Sequence, residues 1–219
     1  MRYKLFSLCV AASCLFSGAS AAEPFRYRVQ PERERAWVID AKGLFLEEAR
    51  RPRRSIALAD WQWAAEPYAC APDIAIGPRG EAIVTSNVLP VLWKVDPDTL
   101  AVSVHRLELD ADTDKDVGFS SLVYSARHGA YFAVSEQHAS LWRIDPLLRR
   151  AQKISAAAPA RGACALTIER QERLSRPSTL CLHARGESWL VNLAPDQRSA
   201  YVQTVSCSFN PYTVLGGTR

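Results

Sequence analysis

Four short segments of the chain share one pattern. Trp37-Val38-Ile39-Asp40, Trp93-Lys94-Val95-Asp96, Trp142-Arg143-Ile144-Asp145 and Trp189-Leu190-Val191-Asn192 all read Trp-x-(Val/Ile)-(Asp/Asn), at successive offsets of 56, 49 and 47 residues. A repeat of this length constrains the fold strongly. Each copy is one supersecondary unit that cannot bury its apolar face alone, so copies must stack on their neighbours.

The units agree beyond the tryptophan. Ile74-Ala75-Ile76 leads through Pro78-Arg79-Gly80 into Ala82-Ile83-Val84-Thr85, and Leu122-Val123-Tyr124 leads through Ala126-Arg127-His128-Gly129 into Tyr131-Phe132-Ala133-Val134. Each is a strand, a glycine-containing tight turn and a strand. The tryptophan strand follows, Asp-Pro opens the next turn in the two middle units, and a fourth strand closes each, over 101–109 and 151–155. The last unit repeats the plan over 164–168, 179–183, 188–193 and 201–207. Strand-length runs of β-branched and aromatic residues recur, and long helical periodicity does not. The pattern predicts an all-β chain: a small β-propeller of about four four-stranded blades, with the tryptophans packed between neighbouring sheets. In the first unit, residues 25–30 and 35–40 match second and third strands with no first strand before them. Pro211-Tyr212-Thr213-Val214-Leu215-Gly216 is the expected missing strand, sealing the ring and removing two exposed edges. Residues 44–68 break the period and are expected to be an insertion, with Trp61-Gln62-Trp63 covering a blade.

Val84-Thr85-Ser86-Asn87, followed by Leu92-Trp93-Lys94-Val95-Asp96-Pro97-Asp98-Thr99-Leu100, resembles the repeat of YVTN-type β-propellers and, more loosely, the repeats of NHL and SMP-30/gluconolactonase-like propellers. The resemblance spans roughly residues 70–207. Its motifs describe a blade and no particular chemistry. It departs from those families in size, since they close with six or seven blades.

The N-terminus points to export. Arg2 and Lys4 precede the apolar run 5–16, and Ala19-Ser20-Ala21 is a small-residue cleavage site, so residues 1–21 read as a cleaved signal peptide and 22–219 as one domain. A lipid anchor on Cys14 would want a Leu three places upstream, where Ala11 stands. No later run is long enough to span a bilayer. The expected location is periplasmic or secreted. Loss of Arg2 and Lys4 takes the formal net charge from +4 to +2, which does not suggest a nucleic-acid partner. The local basic run Arg50-Arg51-Pro52-Arg53-Arg54 is either a solvated loop or a contact for an anionic surface. Cys70, Cys164, Cys181 and Cys207 remain after cleavage, an even number suited to two disulfides in an oxidising compartment. Cys164 and Cys181 flank one predicted hairpin, which favours Cys164–Cys181 with Cys70–Cys207, among three possible pairings.

Candidate chemistry is sparse. Six residues before three of the repeat tryptophans stand Asn87, Glu136 and His183, equivalent places on loops near one mouth of a propeller. All three side chains can ligate a metal or orient a polar substrate, and Glu136 with His138 or His183 would make an acid–base pair. The SMP-30 resemblance implies a divalent ion held near the channel by Glu, Asn and Asp. The run Asp110-Ala111-Asp112-Thr113-Asp114-Lys115-Asp116 alternates carboxylates as Ca²⁺ loops do, which makes Ca²⁺ the one candidate cofactor. Lys115 stands at the turn-glycine position and Ser121 at the closing Glu, so a solvated acidic connection is the competing reading. Neither H-E-x-x-H nor G-x-S-x-G occurs. The sequence therefore favours a non-catalytic platform for an unknown protein or small-molecule ligand, with a metal-dependent lactonase-like hydrolase as the alternative.

Overall fold

The computed structural model describes residues 24–65, 70–110, 117–156, 163–169, 179–184, 187–194 and 196–204. It is all-β apart from a single-turn 3-10 helix at Pro31–Arg33. The first sheet is the antiparallel meander β1 (Arg26–Gln30), β2 (Arg35–Asp40), β3 (Gly43–Glu48) and β4 (Arg54–Ile56). The second is β5 (Ile74–Ile76), β6 (Ala82–Val84), β7 (Val91–Val95) and β8 (Val102–Arg106). A two-residue strand, β9 (Glu108–Leu109), then crosses to pair in parallel with Arg150 and Ala151 of the next unit. Two further meanders follow: β10 (Ser121–Ser125), β11 (Ala130–Ser135), β12 (Ser140–Ile144) and β13 (Arg150–Ala156), then β14 (Ala163–Glu169), β15 (Thr179–Ala184), β16 (Glu187–Leu193) and β17 (Ser199–Thr204). Their last strands join in parallel at Ser155↔Ser199 and Ala156↔Ala200, so the two form one nearly closed eight-strand path. First strands face one another in order, β1 against β5, β5 against β10 and β10 against β14. The arrangement is propeller-like.

The repeat has a local physical cause. After β7 the Asp96 carboxylate accepts the backbone N–H groups of Asp98 (3.0 Å) and Thr99 (2.8 Å). After β12 the Asp145 carboxylate accepts those of Leu147 (2.8 Å) and Arg149 (2.9 Å). These side-chain turns reverse the chain into the fourth strand. Both end on a leucine in the left-handed region, Leu100 (φ 59°) and Leu148 (φ 57°). The tryptophan three residues earlier is then fixed on the third strand, facing the preceding sheet. Trp93 lies in the apolar core between the first two sheets, Trp142 in that between the second and third units, and Trp189 in that between the third and fourth.

The first unit departs from the expected alignment. Trp37 sits on β2, a second strand, and packs forward against the second sheet. The sheet is already four-stranded, because residues 44–48 and 54–56, expected within an insertion, form nearly all of β3 and the whole of β4. The proposed closing strand, 211–216, lies outside the described residues, and the first sheet has its four strands without it. What does stand outside the meanders is the segment after β4. There Trp61 Nε1 donates to the Thr85 carbonyl at 2.9 Å, and Trp63 Nε1 to that of Ala41 at 3.3 Å, so the two indoles strap the second sheet to the first.

The expected cysteine pairing is overturned. Cys70 is bonded to Cys164, which excludes both Cys164–Cys181 and Cys70–Cys207. In the β14–β15 hairpin Cys181 stands opposite Thr167, whereas Cys164 sits in the register shift between Ala163 and Ala165. Three residues of strand separate them, about 10 Å, beyond the reach of a disulfide. Cys181 is also disulfide-bonded, and Cys207 lies outside the described residues.

Candidate functional site

Where the four first strands converge, one carboxylate holds them. Asp73 directly precedes β5, and its side chain is fully buried. Its Oδ1 accepts from Arg28 at 2.9 Å and from the Ile74 N–H at 2.8 Å, and Arg26 stands at 3.4 Å. Its Oδ2 accepts from Ser121 Oγ at 2.9 Å and from the Leu122 N–H at 3.1 Å. Ser121 Oγ in turn accepts the Leu166 N–H of β14 at 2.9 Å, and Arg26 donates to the Cys164 carbonyl at 2.7 Å. Residues of β1, β10 and β14 thus meet at the residue that opens β5. The carboxylate has its acceptor sites occupied. Asp73, Arg26 and Arg28 did not stand out in the sequence, because the network joins segments 45 to 138 residues apart. The available signal, a lone Asp ahead of a three-residue strand, is too weak to read.

The structure places the sequence-predicted residues as follows. Asn87 is buried; its carboxamide accepts the Ala64 N–H at 3.0 Å and donates to the carbonyls of Ala64 (2.6 Å) and Cys70 (3.1 Å). It clamps the tryptophan strap onto the second sheet. Gly118 lies so close to the Asn87 carbonyl that a Cβ there would collide with backbone. Glu136 and His138 flank a tight turn after β11, in which the Ala139 N–H donates to the Glu136 carbonyl at 3.1 Å. His183 is buried on β15 between two hydroxyls, with Nε2 2.8 Å from Thr167 Oγ1 and Nδ1 2.8 Å from Ser188 Oγ. In the acidic connection, Asp110 Oδ1 accepts the Lys153 N–H at 2.8 Å, and Asp112, Asp114 and Asp116 lie outside the described residues. Among the described residues, no three His, Cys, Asp or Glu side chains group as a metal site.

A different surface carries a concentration of charge. A groove of about 560 Å³ opens between the first sheet and the β7–β8 turn, lined by Arg33, Arg35, Arg51, Arg54, Glu48 and Asp98 among others. Arg35 is buried at the start of β2, donating to Gln30 Oε1 at 2.7 Å and to the Pro97 carbonyl at 2.6 Å. Burial, and next the neighbouring Arg33 charge, push its guanidinium pKa below the ordinary value. Arg33 pairs with Asp98 at 2.6 Å, and Glu48 Oε2 serves both Arg54 (2.8 Å) and Arg51 (3.3 Å). The basic run is divided by Pro52. Arg51 and Arg54 face this groove, while Arg53 turns to Asp40 at 2.9 Å and lies over the Phe45 ring.

No family profile matches the chain, and no curated protein matches it. Solved structures do. A catalytically inactive variant of virginiamycin B lyase from Staphylococcus aureus with quinupristin aligns with a TM-score of 0.58 and 12% identity over 83% of this chain and 54% of that one. The major Malassezia sympodialis allergen Mala s 1 aligns at 0.52 and 13% over 78% and 60%. The dihydro-heme d1 dehydrogenase NirN aligns at 0.50 and 12% over 82% and 36%. These are β-propeller proteins with different roles, so the likeness shows the propeller fold alone. The chain spans 36–60% of the length of these three.

Proposed function

We propose that this chain is an exported propeller of four blades that binds a ligand or protein partner on its surface without catalysing a reaction. The observation that carries the reading is the Asp73 hub. In a ring of blades the first strands line the axis, and sites for small molecules lie in the channel they leave. Here two arginines, a serine and a saturated carboxylate fill the place where those strands meet. The engagement of the Asn87 carboxamide and the His183 imidazole in local hydrogen bonds supports structural duties for them. The Cys70–Cys164 disulfide suits an oxidising compartment, and no helix among the described residues is long and apolar enough to cross a membrane.

The test is turnover. The purified protein is assayed against a panel of lactones with Ca²⁺, Mn²⁺ or Zn²⁺, beside Glu136→Gln and His138→Gln variants. The expected result is no hydrolysis above the metal-only blank. Metal-dependent turnover that falls at least tenfold in Glu136→Gln overturns the reading in favour of a lactonase-like hydrolase.

A further inference from the structure

We propose that the arginine-lined groove between the first two sheets binds a small soluble polyanion of the diphosphate class. This deepens the platform reading by naming a site and a ligand chemistry. Four guanidiniums line the groove against two carboxylates, Glu48 and Asp98. One oxygen of Glu48 is shared by Arg51 and Arg54, so neither has a carboxylate to itself. Cations in surplus over their partners are a standing attraction for anions, and guanidiniums match phosphate oxygens in forked pairs.

The groove is also built rather than incidental. Arg35 at its base is fixed by Gln30 and by the Pro97 carbonyl, so a positive charge is held between two sheets where it cannot swing away. Arg51 and Arg54 at the rim are 67% and 45% exposed and can rotate from Glu48 onto a ligand. A space of about 560 Å³ is in the usual range for small-molecule sites, but its lining is charged where such sites are commonly apolar. The ligand that fits it is therefore ionic. It must carry more than one negative charge, because a monovalent ion meets Glu48 and Asp98 as competitors. A recessed arginine favours a small solute over a flat surface, which could reach the rim alone.

Calorimetric titration of the purified full chain with inorganic pyrophosphate at low ionic strength tests this. One saturable site is expected, weakened when salt is raised to about 0.15 M, where the screening length falls to about 8 Å. Arg51→Ala with Arg54→Ala should weaken binding at least tenfold. Arg127→Ala with Arg149→Ala, which removes equal charge from exposed positions of the third unit, should leave it within twofold. Melting curves establish that both variants are folded. Absence of binding, equal losses in the two variants, or binding to phosphatidic acid vesicles without binding to pyrophosphate would each overturn the proposal. Failure here leaves the non-catalytic reading standing, and lactone turnover would overturn that reading without touching the groove.

Discussion

Asp73 concentrates more of the structure's electrostatics than any residue the sequence singled out. A buried carboxylate is tolerable only when paired and hydrogen-bonded, and two guanidiniums, a hydroxyl and two backbone N–H groups provide that. Removing it takes from Arg26 and Arg28 the carboxylate oxygen they share. Asp73→Ala is expected to cost about 3–5 kcal/mol in urea denaturation, the range for breaking a buried ion pair from one side; a loss below about 1 kcal/mol would show that the hub does not hold the units together. A second residue-scale effect involves protons. His128 hydrogen-bonds Ser125 at 2.8 Å and stands edge-on to Phe132. Burial first, then the Arg127 and Arg143 charges, lower its pKa from 6.5, and burial followed by the Lys94 charge does the same to His105. The unfolded chain therefore binds more protons than the native one between the folded values and 6.5. This contribution is whole above pH 6.5 and is lost as pH falls through the folded values. The melting temperature should drop on acidification below pH 6.5, and His128→Gln should flatten part of that drop. An unchanged slope in the variant would remove His128 from the account.

At the scale of the element, the Trp-x-x-Asp signature was legible because both its ends have local causes. The aspartate builds the turn, and the tryptophan seals a sheet against its neighbour. Trp142 shows the second role: it is fully buried, donates from Nε1 to Ser140 Oγ at 2.7 Å and meets Phe119 edge-on at 6.2 Å. Trp142→Ala should destabilise by about 3–5 kcal/mol, and Trp142→Phe by clearly less, in paired denaturant melts. Similar small costs for both would place the residue outside the core. The same signature misled in the first unit. Trp37-Val38-Ile39-Asp40 has the right residues, and Asp40 does build a turn by accepting the Lys42 N–H at 2.7 Å. That turn, however, joins the second strand to the third. A motif that specifies "strand, then Asx turn" cannot report which strand of the four it closes. Gly43-Leu44-Phe45-Leu46 was lost for the same reason, since a period counted from Trp37 leaves no place for another strand. Asn192 marks the opposite limit. It matches the pattern, yet β16 runs on to Leu193 and Asp196 caps the turn through the Arg198 N–H at 3.0 Å. The polar side chains chosen as site candidates were equivalent in sequence, but Asn87 was claimed by the strap, a contact with residues 17 and 23 positions away that no repeat spacing encodes.

The whole molecule is held by contacts that differ from one junction to the next. Apolar clusters fill the spaces between the first and second, second and third, and third and fourth units. Between the fourth unit and the first, Arg26 donates a hydrogen bond to the Cys164 carbonyl, beside a disulfide that ties Cys164 to the segment leading into the second unit. The covalent bond therefore acts where the last unit meets the first two. Repeat architectures gain stability by neighbour stacking, so the fourth unit, which among the described residues shares an apolar cluster with the third alone, is the first to open. A cross-link spanning 94 residues opposes that opening by removing loop-closure entropy from the unfolded chain, by about 4–5 kcal/mol in the chain-entropy account. Cys70→Ser with Cys164→Ser should accordingly lower stability by about 3–5 kcal/mol. It should also separate one unfolding transition into two, with amide protons of β14–β17 exchanging before those of β5–β8. A single transition with uniform exchange and a loss below about 1 kcal/mol would mean that packing against the third unit holds the fourth, and that the disulfide adds little to a fold already secured by its sheets.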